Sequence, residues 1–138
     1  METVMTKLSY VEGIGEVYQG KLEAAGIPGV EALLEAGKTK KGRQELAAKS
    51  EIPEKLILEW VNHVDLMRVK GVGSEYADLL EAAGVDTVPE LATRRADNLT
   101  KKMEEVNAEK KLVRRVPVLK MVEKWVAQAK ELPRVIEY

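Results

Sequence analysis

Residues 66–92, LMRVKGVGSEYADLLEAAGVDTVPELA, are the stretch that decides the fold. Gly71 and Gly73 flank one apolar residue there and separate two helical patterns. Because glycine adopts a positive φ at little cost, G-V-G permits a very tight turn whose amides begin the next helix. The stretch therefore predicts a helix, a tight turn and a second helix.

The helix after this turn is expected to end at Gly84, which occupies the C′ position. Thr87 and Glu90 have the T-x-x-E spacing of a capping box, which predicts a further helix directly afterwards. The buried face of the first of these helices is predicted from apolar residues at i, i+3, i+4 and i+7, namely Tyr76, Leu79, Leu80 and Ala83.

The same pattern occurs earlier in the chain. Residues 8–34, LSYVEGIGEVYQGKLEAAGIPGVEALL, align with 66–92 at a shift of 58 positions. The alignment pairs two turns, Gly13–Gly15 (the first glycine turn) with Gly71–Gly73 (the second glycine turn). We interpret the chain as an internal duplication, with one repeat unit at 1–65 and the other, including a C-terminal tail, at 66–138.

Composition favours an all-α protein in one compact body. The 138 residues include four Tyr, two Trp and no Phe, so the core is expected to be aliphatic. Cysteine is absent, which excludes disulfides, thiolate metal sites and cysteine nucleophiles. No apolar run approaches the ~20 residues that span a bilayer. The N-terminus METVMTKL has no basic segment followed by an apolar one, so the cytoplasm is the expected compartment.

The net charge of −1 conceals alternating charge blocks. Residues 50–93 carry nine acids and three bases, whereas residues 94–130 carry eleven bases and five acids. Such blocks fit either complementary surfaces within the fold or charged surfaces that meet a partner. A protein that coats nucleic acid is usually basic overall, and this chain is not.

Local signals predict the remaining helices. Thr39 is expected to cap a helix at 40–49, and Pro53 fits the first position of the next helix. That helix is expected to run continuously to Lys70, because no linker separates the two halves.

In the second half, residues 97–107 fit a helix and lead into a basic connector at 108–117, AEKKLVRRVP. Pro117 is expected to start the last helix, and Trp125 is the expected counterpart of Trp60. Its apolar stripe comprises Val118, Met121, Val122, Trp125, Val126 and Ala129.

These residues resemble a known arrangement. G-I-G and G-V-G, each preceded by apolar residues at i−2 and i−5, resemble the helix-hairpin-helix motif. Two such motifs around a connector form a five-helix unit, so the resemblance implies two tandem helix-hairpin-helix five-helix units. The chain over 8–138 is similar in particular to the prokaryotic domain-of-unknown-function family 4332.

The resemblance implies that hairpin amides bind a nucleic-acid phosphate, which unpaired amides at a helix start favour physically. Glu16 and Glu75 oppose phosphate binding, because a carboxylate repels phosphate. Lys70 partly offsets this repulsion at the second glycine turn. The alternative is that the glycines only permit tight packing. The amides implied are those of Gly13, Ile14, Gly15, Gly71, Val72 and Gly73.

Basic clusters form the second candidate feature. Lysine and arginine clusters that contact phosphates bind without sequence preference and are sensitive to salt, although solvated helix surface is the alternative interpretation. One cluster lies in the first half, at Lys38, Lys40, Lys41 and Arg43. The candidate nucleic-acid contacts in the second half are Arg94, Arg95, Lys101, Lys102, Lys110, Lys111, Arg114 and Arg115.

The sequence thus predicts a non-catalytic binding module. No catalytic, nucleotide-binding or calcium motif occurs, so we expect no enzyme activity, cofactor, metal or small-molecule substrate, and no membrane association. The leading hypothesis is weak, sequence-nonspecific nucleic-acid binding through the hairpin amides and a basic face. The alternative is a protein-protein interaction or scaffold module whose hairpins are structural.

Overall fold

The computed structural model describes residues 6–138, and every element of regular secondary structure in that range is a helix, which confirms the all-α class. A single 3₁₀ turn at Leu8–Tyr10 precedes the α-helices. Their bounds are α1 Glu16–Ala24, α2 Val30–Gly37, α3 Lys40–Ser50, α4 Glu54–Leu66, α5 Ser74–Ala82, α6 Val88–Ala92, α7 Ala96–Lys110 and α8 Leu119–Glu131. None of these helices is long and apolar enough to cross a membrane.

The chain divides into two compact units after Asp65. The second unit is Leu66–Arg134, and Val135–Tyr138 are grouped with the first unit. The sequence-based division placed this tail in the second unit. The difference has a physical cause, because the Glu137 amide donates to the Lys38 carbonyl at 2.7 Å. Helix α4 also ends at Leu66 rather than continuing to Lys70.

The first unit packs α1 and α2 against α3 around an aliphatic core. Its fully buried side chains include Leu22, Leu33, Ile57 and Val61. Thr39 caps α3 as expected, since its Oγ1 accepts a hydrogen bond from the Gly42 amide at 3.0 Å. This capping bond satisfies one of the amides that a helix start leaves unpaired.

In the second unit, α6 and α7 pack against α8, and α5 packs against α7. The apolar spacing of α5 buries Leu79 and Leu80 completely, as predicted. Met103 of α7 and Val122 of α8 are also fully buried. Helix α8 begins at Leu119, two residues after the predicted start at Pro117. Val118 therefore precedes the helix and departs from the predicted stripe, with its side chain 59% exposed.

Equivalent positions of the two units have the same local geometry. Gly26 and Gly84 follow α1 and α5 with φ of 89° and 95°. The residue after each glycine donates back to the helix, Ile27 to Leu22 and Val85 to Leu80, both at 2.9 Å. This is the Schellman ending, which confirms Gly84 as the C′ residue.

The predicted capping box at Thr87 and Glu90 is only half correct. Thr87 does precede α6, but its side chain accepts no capping hydrogen bond. Glu90 instead accepts from the Asp86 amide at 3.2 Å. Pro89 stands in the first turn of α6, and it has no N–H to offer a cap.

Candidate nucleic-acid interface

The second glycine turn lies in the segment that connects α4 to α5. Gly71 has a φ of 92°, in the region that favours glycine, and Gly73 directly precedes α5 with no side chain capping the helix. The Val72 amide is used internally, donating to the Val69 carbonyl at 3.0 Å. Among the described residues, no acceptor is recorded for the amides of Gly71 and Gly73. These two amides are therefore the candidates for anion binding at this turn.

An aromatic pair packs against this turn. Tyr76 and Trp125 have ring centroids 5.2 Å apart. A Cβ added to Gly71 would lie 3.0 Å from Trp125 Nε1, closer than side chains normally approach. Lys70 is exposed, while its backbone amide donates to Gln128 Oε1 at 2.8 Å. The absence of a side chain at Gly71 thus permits close packing against Trp125.

The basic connector approaches the start of α5 through a hydrogen bond. Tyr76, in the first turn of α5, donates from its hydroxyl to the Arg115 carbonyl at 3.1 Å. The connector is also fixed at Val113, whose amide and carbonyl both bond to the Asn107 side chain, at 2.9 and 3.1 Å. Arg114 and Arg115 follow with exposed side chains.

Sequence reasoning did not identify two of these contacts. It assigned Tyr76 to the apolar face of α5 and gave Asn107 no role. The signal for Asn107 is its position in the last turn of α7, where an amide side chain can bond to the backbone that leaves the helix. The helix itself extends through Lys110, and Lys111 follows in the left-handed region with a φ of 51°.

Arg94 lies at the opposite end of α5. Its Nη2 donates to the Gly84 carbonyl at 2.8 Å, and Gly84 lies just beyond the C-terminal end of that helix. Nine helical residues span about 13 Å, so this arginine and the second glycine turn do not meet. Lys101 and Lys102 are exposed on α7.

Arg95 forms an ion pair at the start of α7. Its Nη2 lies 3.0 Å from Asp97 Oδ2, and both side chains are exposed. The Asn98 amide and then the Arg95 guanidinium lower the pKa of Asp97 below its usual value. An exposed pair of this kind contributes little to stability.

The first glycine turn repeats the geometry without a basic neighbour in sequence. Gly13 has a φ of 98°, and the Ile14 amide donates to the Val11 carbonyl at 3.2 Å. Gly15 precedes α1, whose first residue is the exposed Glu16. Tyr18 and Trp60 form the matching aromatic pair, with centroids 5.2 Å apart.

The basic cluster of the first unit is partly structural. Arg43 is 2% exposed and donates to the carbonyls of Gly37 and Glu137, each at 2.9 Å. Lys38 pairs with Glu35 at 2.8 Å. Arg43 therefore belongs to the interior, which neither interpretation of the cluster anticipated.

A groove of about 740 Å³ runs along α8 in the second unit. Its lining includes three basic and three acidic side chains, namely Arg94, Arg95, Lys130, Asp97, Glu123 and Glu131. Leu119, which is 43% exposed, adds an apolar edge. The groove thus offers both charges beside a small apolar surface.

These features define an all-α protein whose two units each hold a glycine turn against a tyrosine–tryptophan pair. Residues 12–132 match the family described as Domain of unknown function (DUF4332), and the chain belongs to that family. Neither the search of curated proteins nor the search of solved structures found a match to this chain.

Proposed function

We propose that the chain is a non-catalytic binding module whose second unit contacts nucleic-acid phosphate weakly and without sequence preference. The observation that carries the proposal is the hydrogen bond from Tyr76 to the Arg115 carbonyl at 3.1 Å. It brings the basic connector to the first turn of the helix that starts at the second glycine turn. The backbone of Arg115 then lies beside the first turn of α5, and backbone amides together with arginine side chains are the combination that binds phosphate.

The charge of this region supports a modest affinity. Arg114 and Arg115 are exposed, and they follow Lys110, the last residue of α7, and Lys111. Glu75, exposed in the first turn of α5, opposes an approaching phosphate. Contacts of this type are sequence-independent and weaken as salt rises.

Base stacking has no platform in the second unit. Tyr76 and Trp125 are the only aromatic residues between 66 and 134. They pack on each other, and Trp125 is 3% exposed. Single-strand binders depend on exposed aromatics, so we expect no preference for single strands over duplex.

The test is fluorescence anisotropy with labelled double-stranded DNA, single-stranded DNA and RNA over a salt series. The variant Arg114→Glu with Arg115→Glu is expected to weaken binding strongly. The matched control, Lys40→Glu with Lys41→Glu, changes the net charge equally at the exposed start of α3 in the first unit and is expected to bind much as the unmodified chain does.

Two results would contradict the proposal. One is the absence of binding to any nucleic acid at low salt. The other is an equal loss in both double variants, because that pattern reports overall charge rather than a local contact.

A protein-protein interaction or scaffold role is the second candidate function. The groove along α8 favours it, since its walls carry both charges and Leu119. Glu16 and Glu75 at the two turns favour it as well. If nucleic acid fails to bind, cross-linking of the chain to protein partners, with Leu119→Glu as the variant, distinguishes this function. The cytoplasm stays the proposed compartment in either case.

A further inference from the structure

A cavity of about 360 Å³ lies where α6 leads into α7, near the C-terminal end of α5. We call it the corner cavity. Ala83, the C-cap residue of α5, contributes to its wall. The remaining lining residues are Thr93, Arg94, Arg95, Asn98, Leu99 and Lys102. The lining carries three cationic side chains and no carboxylate.

Arg94 is held in place at this cavity. Its Nη2 donates to the Gly84 carbonyl at 2.8 Å. A guanidinium has five N–H donors, so most of them stay available on a side chain that this hydrogen bond already orients. Fixing a donor before the ligand arrives lowers the entropic cost of binding.

Arg95 and Lys102 add positive charge to the corner cavity, and neither is held in a strong ion pair with another described residue. Arg95 is paired with Asp97, but that pair is solvent-exposed and hence weak. Lys102 is exposed, and no ion pair is recorded for it within residues 6–138. Asp97 lowers the local positive charge without lining the corner cavity, so the cavity keeps a positive surplus.

We propose that the corner cavity binds a phosphomonoester group. Planar guanidinium groups match phosphate oxygens in a bidentate manner. Three cations, one of them shared with Asp97, balance the two negative charges of a phosphomonoester better than the single charge of a carboxylate. The volume lies within the range of small-molecule sites. It suits a phosphate with a small organic group or the phosphorylated end of a nucleic-acid strand.

This site is separate from the surface proposed for nucleic-acid binding. Arg94 contacts Gly84, two residues beyond the C-terminal end of α5, whereas the second glycine turn precedes the N-terminal end of that helix. The inference therefore does not depend on the proposed function. Its two ligand sources are the small phosphoester and the strand end, which the experiment separates.

The test follows backbone amide shifts of the intact chain by NMR at constant ionic strength. The probes are ribose 5-phosphate, acetate, and a short oligonucleotide with and without a 5′-phosphate. Saturable shifts at residues 93–102 with ribose 5-phosphate, and none with acetate, are the expected result. A response only to the 5′-phosphorylated oligonucleotide assigns the site to strand ends.

Lys102→Gln is the informative variant, and its neighbour Lys101→Gln is the matched control, because Lys101 does not line the cavity. We expect Lys102→Gln to weaken phosphate binding roughly tenfold, the loss of one charge-assisted contact. Lys101→Gln should leave it unchanged. Equal losses in the two variants, equal responses to acetate and phosphate, or no shifts with any probe would overturn the proposal.

Discussion

At the scale of single residues, both the backbone conformation and the side-chain packing at position 71 require a glycine. Its φ of 92° disfavours any side chain, and an added Cβ would lie 3.0 Å from Trp125 Nε1. We expect Gly71→Ala to lower the free energy of unfolding by about 1–3 kcal/mol, measured by urea unfolding with circular dichroism. Gly20→Ala is the control, because Gly20 lies inside α1 with no atom within 4 Å of the added Cβ.

The control should behave in the opposite way. Alanine is preferred to glycine inside a helix by about 1 kcal/mol, so Gly20→Ala is expected to stabilise the chain slightly. A Gly71→Ala protein as stable as the unmodified one would show that the second glycine turn can accept a side chain.

Arg43 is the second residue whose role is set by burial. Its guanidinium donates to the carbonyls of Gly37 and Glu137. The guanidinium carbon also lies 5.8 Å from the ring centroid of Tyr138. We expect Arg43→Ala to lower the free energy of unfolding by about 3 kcal/mol, measured by urea unfolding, because it leaves the buried Gly37 carbonyl and the partly buried Glu137 carbonyl unpaired. The exposed Lys41→Ala should change stability by no more than about 0.5 kcal/mol. Equal stability of the two variants would refute a structural role for Arg43.

At the scale of elements, a pH-sensitive contact joins α2 to the segment before the 3₁₀ turn. Glu31 Oε1 accepts from the Thr6 amide at 2.8 Å, and the Thr6 carbonyl accepts from Val30 at 3.0 Å. Burial alone would raise the pKa of Glu31, but hydrogen bonds from Thr6 and from the backbone amide of Glu31 outweigh burial and lower that pKa below its usual value. The contact therefore favours the ionised carboxylate.

The sign of the pH effect follows from this lowered pKa. The stabilisation is complete above the pKa of unfolded Glu31 and is lost as the pH falls through the lower folded value. We expect the Thr6 amide to lose its protection from hydrogen exchange over that acid range. Glu31→Gln should remove the pH dependence, whereas Glu35→Gln on the same helix should retain it. A Thr6 amide whose protection does not change on acidification would contradict the assignment.

At the scale of the whole molecule, the net charge of −1 means that attraction to nucleic acid must be local. Each neutralised phosphate contributes about −0.9 to the slope of log affinity against log salt. Contacts from two to four connector side chains therefore predict a slope of about −2 to −4. The variant with Arg114→Glu and Arg115→Glu should reduce that slope by about 2, as anisotropy titrations would measure. A slope that both double variants leave unchanged would exclude the connector.

Local rules let the sequence determine the all-α class, the glycine turns and most helix ends. Gly84 ends α5 and Thr39 caps α3 because each needs only φ preferences or a neighbouring amide, which short segments encode. The α6 cap was predicted less well, since Glu90 can bond to more than one nearby amide and Thr87 is not needed as an acceptor.

Only the tertiary structure decided which distant residues meet. Tyr76 contacts Arg115 across 39 positions, and Arg43 contacts Glu137 across 94. Sequence patterns show that a residue is basic or aromatic, but not which backbone carbonyl it reaches once the chain has folded. Because of such long-range hydrogen bonds, Arg43 is buried whereas Arg114, equally basic in the sequence, stays exposed. Folding likewise brings the connector near the start of α5, while the cations of the corner cavity lie near its other end.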